Sequence, residues 1–152
     1  MVELITTVEH EIVERLVELE QEVFGHGGMN EWHLVPVIRH GQVFVIKEAD
    51  LVIGCIQYML DWNNPHLAYM IGVSVTRQNR GKGTGTKLLK KSIDMLFADK
   101  ITEIELTVDS ANVVAVKIYK KLGFEVTEFR QNEYGEGHDR LVMVLAKNKF
   151  IP

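Results

Sequence analysis

Apolar residues recur at helical spacing in the N-terminal part of the chain. After Val2–Ile5, which we interpret as a short strand, apolar positions fall every three or four residues from 8 to 23. Thr6 and Glu9 have the spacing of a capping box, and Gly25 is placed to end this helix. Asn30 is a suitable N-cap for a shorter helix over 30–39. The pattern therefore predicts one strand followed by two helices.

The rest of the chain changes between strand-like alternation and helix-like spacing. Three consecutive strands come first, and Gly72 within the third indicates a bulge or a close backbone approach. A helix, a strand, a second helix and two final strands follow. The predicted strands are 42–48, 51–62, 67–75, 101–108, 124–131 and 139–146, and the predicted helices are 86–100 and 112–123. The order β-α-α-β-β-β-α-β-α-β-β predicts an α/β fold with a mixed sheet.

Composition and charge narrow the class of protein. The chain has 152 residues, which predicts a single domain over 1–152, and its net charge of −4 argues against nucleic-acid binding. Its one cysteine, Cys55, cannot form an intramolecular disulfide. Carboxylates near the N-terminus exclude the apolar core of a signal peptide, and the apolar runs are about half the ~20 residues of a membrane helix. We therefore expect a cytoplasmic protein that does not enter the membrane.

A glycine-rich stretch, RGKGTG at 80–85, separates the third of those strands from the helix that follows. Amide groups at the start of a helix are unpaired and favour an anion, and glycine lets the backbone approach it closely. Arg80 and Lys82 add positive charge. A flexible turn is the alternative interpretation. Because a strand precedes the glycines and a helix follows them, we favour a phosphate-binding loop, although the P-loop and dinucleotide-fold patterns are both absent.

Two motifs in this chain resemble those of the GNAT superfamily of acetyl-CoA-dependent N-acetyltransferases. RGKGTG matches the family pattern Q/R-x-x-G-x-G/A, and residues 112–124 match N-x-x-A-x-x-x-Y-x-x-x-G-F. The predicted element order is also that of the family. The resemblance implies a mainly antiparallel mixed sheet and acetyl-CoA as the cosubstrate. It covers almost the whole chain and is weakest over residues 1–40.

The resemblance also assigns cofactor-binding residues. Backbone amides of the glycine loop are expected to hold the pyrophosphate of coenzyme A, and the strand before the loop is expected to pair with the pantetheine amides. Asn112 and Tyr119 are expected to contact the cofactor from the second motif. The loop residues are Arg80, Gly81, Lys82, Gly83, Thr84, Gly85 and Thr86, and the strand residues are Val73, Ser74 and Val75.

Acetyl transfer to an amine needs an acid for the departing thiolate and a base for the amine proton. By resemblance, Tyr119 is the acid, and the amide of Val73 or a neighbour can polarise the thioester carbonyl. The residue that acts as the base is not identified by the resemblance. In the branch that acetylates a ribosomal-protein alanine, a glutamate precedes the motif asparagine at the position of Thr107, which cannot act as a base. The remaining candidates are Glu105, Asp109 and His66.

Aromatic and acidic residues near the predicted loops suit a cationic acceptor. Glu133 and Tyr134 lie between the last two predicted strands, where peptide- and amino-acid-acetylating relatives flank their acceptor. Trp32 and Asp61 are candidates for the opposite wall of the acceptor site. Trp62 is a further candidate for that wall, and the alternative is that Trp62 belongs to the core. The histidines show no zinc-binding pattern, so no metal is expected.

The sequence therefore predicts an N-acetyltransferase that moves an acetyl group to a primary amine by direct attack in a ternary complex. The acceptor can be a small amine, an amino acid or a peptide N-terminus. A non-catalytic domain that binds or senses acyl-CoA is the alternative, and a nucleotide-binding module is a third. A homodimer is compatible with the resemblance. The acceptor, the acyl chain length and the oligomeric state stay open.

Overall fold

A computed structural model describes all 152 residues, and its element order matches the predicted one. The predicted α/β fold with a mixed, mainly antiparallel sheet is confirmed. The seven strands are ordered β1-β2-β3-β4-β5-β7-β6. The elements are β1 Val2–Ile5, α1 His10–Phe24, α2 Glu31–His40, β2 Gln42–Glu48, β3 Leu51–Leu60, β4 Leu67–Val75, α3 Thr84–Phe97, β5 Glu103–Asp109, α4 Val113–Leu122, β6 Glu125–Arg130 and β7 Arg140–Ala146. No helix combines the length and the apolar character needed to cross a membrane.

Residue contacts group the chain into two compact units. The first unit contains residues 1–59 and 71–93, and the second contains residues 60–70 and 94–152. A single domain over 1–152 stays a prediction.

The first unit contains the antiparallel strands β1, β2 and β3 together with α1 and α2. The apolar stripe of α1 is buried through Val13, Leu16 and Leu19, as its spacing predicts. Leu34 and Ile38 bury one face of α2 in the same cluster. Burying each such side chain contributes about 1.5–3 kcal/mol, so this cluster stabilises both helices.

A buried carboxylate ties three segments of the first unit together. Glu20 of α1 is 4% exposed, and its Oε1 accepts a hydrogen bond of 3.0 Å from Nε2 of Gln57 on β3. Its Oε2 accepts a hydrogen bond of 3.1 Å from the amide of Met29. Burying a carboxylate is tolerated here because both oxygens have donors. Gln57 also explains Gly72, since a Cβ there would lie 3.3 Å from Gln57 Oε1, so Gly72 marks a close approach.

The second unit is built on the antiparallel strands β5, β7 and β6. The start of β4 adds to β5 in parallel through Leu67, Ala68 and Tyr69. Along β5, Ile104, Leu106 and Val108 are buried. The alternate residues point to the opposite side, which we call the polar face of β5 and which carries Glu103, Glu105, Thr107 and Asp109. This alternation is confirmed as predicted.

Several predicted boundaries are wrong, each for a local reason. The capping box of Thr6 with Glu9 does not form, because Glu9 is itself the N-cap and accepts a hydrogen bond from the Thr7 hydroxyl. Strand β3 ends at Leu60 because the carboxylate of Asp61 accepts bonds from two turn amides. Helix α3 begins at Thr84 within the glycine stretch, and β5 begins at Glu103.

The predicted cap of α2 is confirmed. The side chain of Asn30 accepts a hydrogen bond of 3.0 Å from the amide of Trp32, and Nδ1 of His33 accepts one from the amide of Asn30.

Candidate active site

The glycine loop lies in the first unit, and two of its residues require glycine for conformational reasons. Gly81 has φ of +73° and Gly83 has φ of +80°, a left-handed region that other residues rarely adopt. A Cβ added at either position would meet no atom within 4 Å. The space beside both glycines is therefore open, as a site for a bulky anion requires.

The start of α3 completes an anion-binding arrangement. The amide of Lys87 donates the bond that closes the first turn, at 2.9 Å to the carbonyl of Gly83. The earlier amides of the helix, Thr84 to Thr86, have no partner within the helix, and the helix dipole favours negative charge there. Arg80 adds charge while its Nε donates to the carbonyl of Val75 at 3.2 Å. The loop thus fits a phosphate-bearing group such as coenzyme A.

The end of β4 offers its backbone and not the hydroxyl of Ser74. Ser74 is 2% exposed, and its Oγ is buried with no hydrogen-bond partner. Val73 and Val75 alternate with it and are half-buried. Any contact of Ser74 with a pantetheine chain would therefore come from its main-chain groups.

Asn112 and Tyr119 lie on α4 in the second unit. Asn112 is the N-cap, and its Oδ1 accepts a hydrogen bond of 3.2 Å from the amide of Ala115. The ring of Tyr119 is buried at 8% exposure and lies 5.6 Å from that of Phe124. The Tyr119 hydroxyl makes no hydrogen bond with the protein. Burial raises the pKa of this phenol, while the positive charge of Arg140 acts in the opposite direction.

Thr107 sits at the centre of a polar network that the sequence did not reveal. Its Oγ1 is 3.3 Å from the hydroxyl of Tyr69 and accepts a bond of 3.2 Å from Nε of Arg140. Nη2 of Arg140 donates to the carbonyl of Thr107 at 2.8 Å. The guanidinium lies 5.2 Å from the ring centre of Tyr134. The pairing of β5 with β7 brings Thr107 and Arg140 together, and the pairing of β4 with β5 adds Tyr69. The sequence alone does not show these pairings.

Glu105 has the properties expected of a base. Its carboxylate makes no hydrogen bond or ion pair with the protein. Burial raises the pKa of Glu105, and the negative charges of Asp61, Glu128 and Glu103 act in the same direction, against the lowering effect of Arg130. A raised pKa makes a carboxylate a stronger proton acceptor. Glu105 is therefore the strongest of the three base candidates.

The other two base candidates have structural contacts. Asp109 Oδ1 accepts a hydrogen bond of 2.9 Å from the amide of Ala111, which shapes the turn before α4. His66 Nδ1 lies 3.0 Å from the carbonyl of Lys100, so this nitrogen must carry the proton. Both side chains stabilise loops.

The predicted acceptor residues lie in different settings. In the first unit, Trp32 is 81% exposed. In the second unit, Asp61 holds its own turn, and Glu133 accepts a bond of 2.9 Å from Nη1 of Arg130. Tyr134 is exposed beside Arg140. Trp62 is 98% exposed, so its placement in the core is wrong.

Cys55 and the residue types that can bind metals are further candidates for chemistry. Cys55 is buried, and burial raises the pKa of its thiol, so little reactive thiolate is present at neutral pH. No group of three or more His, Cys, Asp or Glu residues could hold a metal ion.

Comparison with known proteins identifies the family of the chain. The sequence model of the acetyltransferase (GNAT) family matches residues 9–124, which include both motifs. The chain belongs to this family. An uncharacterised N-acetyltransferase of Methanocaldococcus jannaschii is 30% identical over 76% of this chain and 70% of its own length. An N-alpha-acetyltransferase of Sulfurisphaera tokodaii is also 30% identical, over 66% of each chain.

Solved structures share the fold of this GNAT chain. The ribosomal-protein-S18-alanine N-acetyltransferase from Escherichia coli superposes with a TM-score of 0.80 at 19% identity, covering 100% of this chain and 96% of its own. The predicted enzyme class, an acyltransferase, is confirmed by family membership, as is acetyl-CoA as the cosubstrate.

Proposed function

We propose that this GNAT enzyme acetylates a primary amine by direct attack, with Tyr119 as the acid. The observation that carries the proposal is a buried tyrosine on the motif helix whose hydroxyl makes no hydrogen bond with the protein. An amino acid or a peptide N-terminus is favoured among the acceptors, because the relative from Sulfurisphaera tokodaii is named an N-alpha-acetyltransferase.

The donor-binding residues remain those that the motifs indicate. We propose that the amides of Gly81 to Thr86 bind the pyrophosphate, aided by Arg80 and Lys82, and that the main chain of 73–75 binds the pantetheine amides. Asn112 and Tyr119 complete the set from α4. The open space beside Gly81 and Gly83 supports this assignment.

When bound, acetyl-CoA supplies an acetyl group activated as a thioester. Glu105 takes a proton from the acceptor ammonium, through a water molecule, so that the nitrogen has a free electron pair. The nitrogen forms a bond to the carbonyl carbon, and the carbon–sulfur bond breaks. The Tyr119 hydroxyl gives its proton to the sulfur, which leaves as the thiol of coenzyme A. The nitrogen loses its second proton to the solvent as the amide forms, and Tyr119 regains a proton from the solvent. Burial keeps this phenol protonated at neutral pH because it raises the pKa of Tyr119.

The Tyr119→Phe variant tests the proposal, because it removes the acid and keeps the buried ring. We expect kcat to fall about 100-fold with any accepted amine, the range for loss of a general acid. The affinity for acetyl-CoA, measured by calorimetric titration, should stay within a factor of about two. Thiol release from acetyl-CoA across a panel of amines gives the rates. Unchanged turnover would mean that Tyr119 only packs the helix.

Two outcomes of the amine screen bear on the function itself. Thiol release that depends on an amine supports acetyl transfer. Tight binding of acetyl-CoA with no release for any amine would favour a sensing domain. A cytoplasmic location and a homodimer are further predictions, which fractionation and light scattering test.

A further inference from the structure

Arg140 is held in a fixed position in the second unit. Two of its N–H groups donate to Thr107, at 3.2 Å to Oγ1 and 2.8 Å to the carbonyl oxygen. The ring of Tyr134 lies 5.2 Å from the guanidinium carbon. A guanidinium anchored on one edge and against one ring presents its remaining N–H groups in a defined direction. Nη1 has no partner in the protein.

Arg140 forms no ion pair with a carboxylate. No ion pair includes it, whereas the neighbouring Arg130 pairs with both Glu128 and Glu133. Asp109 lies directly opposite Arg140 in the strand register, yet its Oδ1 accepts a hydrogen bond from the amide of Ala111. A half-buried cation without a partner is unfavourable unless a ligand supplies the negative charge.

The side chains next to this cation carry hydroxyl groups, which suit a carboxylate ligand. The Tyr69 hydroxyl shares Thr107 Oγ1 with Arg140. Burial raises the pKa of Tyr69, and the neighbouring phenol of Tyr134 acts in the same direction. Carboxylates prefer the paired N–H groups of a guanidinium, supplemented by hydroxyl donors.

The polar face of β5 places negative charge beside this positive site. Glu105 and Thr107 point to the same side, and residues two apart in a strand are separated by about 7 Å. An acceptor with its ammonium at Glu105 and its carboxylate at Arg140 must carry the two groups close together. The spacing is satisfied when the carbon that bears the ammonium and the carbon that bears the carboxylate are the same atom or lie at most two bonds apart.

We propose that the acceptor carries a carboxylate near its amine and that Arg140 binds this carboxylate, supported by Thr107 and the hydroxyls of Tyr69 and Tyr134. The inference rests on the proposed function and names its substrate class. The carboxylate belongs either to a free amino acid or to the side chain of an acidic N-terminal residue in a peptide. Both sources share one chemistry, and the experiment distinguishes them.

The experiment compares carboxylates with their amides. The first arm uses free amino acids and the corresponding amino-acid amides, and the second uses peptides that begin with Asp or Glu against peptides that begin with Asn or Gln. Thiol release gives kcat/KM for each compound. We expect one arm to show a preference of about 10–100-fold for the carboxylate, the range for a hydrogen-bonded charge pair. The arm that shows it identifies the source.

The Arg140→Gln variant should abolish this preference. Its kcat/KM for the carboxylate should fall about 10–100-fold more than its kcat/KM for the amide, mainly through KM, while the affinity for acetyl-CoA stays nearly constant. Arg140→Lys keeps the charge and loses the paired geometry, so an intermediate preference is expected. If Arg140→Gln does not fold, this second variant still tests the proposal. Arg39→Gln, at an exposed arginine of α2, is the matched control and should behave as the wild type.

Different results overturn the inference and the proposed function. Equal rates for carboxylates and amides in the wild type, or an equal loss for both in Arg140→Gln, would overturn the carboxylate site and leave acetyl transfer intact. If no amine is acetylated, the melting temperature is measured with coenzyme A and each amino acid or peptide. This measurement shows whether the carboxylate site binds its ligand without acetyl transfer. Stabilisation that needs both the carboxylate and Arg140 would support the site and overturn the acetyl transfer. No stabilisation would overturn both.

Discussion

Burial acts on two side chains of the second unit in the same direction and with different consequences. It raises the pKa of both Glu105 and Tyr119. For the carboxylate, the shift makes the charged form a stronger base. For the phenol, the shift keeps the proton in place until a stronger acceptor is at hand. Burial therefore favours Glu105 as a base and Tyr119 as an acid within the same unit.

The ionised carboxylate of Glu105 should lower the stability of the folded protein at neutral pH, although the same carboxylate is proposed as the catalytic base. Because its folded-state pKa is raised, the folded state binds its proton more tightly than the unfolded chain does. The protonated carboxyl therefore contributes stability at low pH, and this contribution is lost as the pH rises through the folded-state pKa of Glu105. Glu105→Gln should therefore raise the melting temperature at pH 7 and change it little below about pH 4. Turnover at pH 7 should fall about 100-fold.

Calorimetry at both pH values and the thiol-release assay measure these effects. Glu125→Gln, on β6, removes an exposed carboxylate and should change neither quantity. A wild-type rate in Glu105→Gln would assign the base elsewhere.

Element ends in this fold depend on left-handed glycines in two different ways. Gly123 ends α4 at φ of +108°, and its amide bonds back to the carbonyl of Lys120. A Cβ at Gly123 would also collide with the backbone carbonyl of Lys149. Gly83, at the start of α3, faces open space. The first glycine is needed for packing and the second leaves room for a ligand.

Gly123→Ala should be strongly destabilising. The left-handed conformation costs about 1–2 kcal/mol, and displacing the Lys149 backbone adds a similar amount, so we expect a loss of about 3 kcal/mol. Urea denaturation measures the free energy of unfolding. Gly137→Ala is the matched control, because its φ is +79° with no atom within 4 Å of the added Cβ, and it should lose only about 1 kcal/mol. Equal losses in the two variants would contradict the packing role.

Gly83→Glu should weaken the binding of acetyl-CoA about 100-fold or more, because it places bulk and negative charge where the phosphates are expected. Calorimetric titration measures the affinity. Gly137→Glu introduces the same side chain at a similar φ in the loop between β6 and β7, and it should bind acetyl-CoA as the wild type does. Retained affinity in Gly83→Glu would refute the loop assignment.

At the scale of the whole molecule, the sequence was informative where chemistry is local. Alternation identified β5 and its two faces, and the caps Asn112 and Gly123 follow from residue types that those positions favour. The glycine loop was recognisable for the same reason. Single boundaries such as the start of α1 were wrong because several polar residues there compete to cap the helix.

Long-range contacts could not be predicted in this way. Thr107 and Arg140 are far apart in sequence, and only the antiparallel register of β5 with β7 brings them together. Taken alone, the substitution of the family glutamate by Thr107 indicated a missing base. With Arg140 beside it, the same position instead joins a positively charged network. The net charge of −4 for the whole chain did not indicate that this part of the molecule is locally positive.

The exposure of both tryptophans has a practical consequence for spectroscopy. Trp32 and Trp62 are 81% and 98% exposed, so the indole rings of the native protein are surrounded by water much as in the unfolded chain. The emission maximum of the native protein should therefore lie close to that of the denatured protein. Fluorescence is then a poor probe of unfolding but a sensitive probe of contact, because any molecule that covers either ring shifts the emission to the blue.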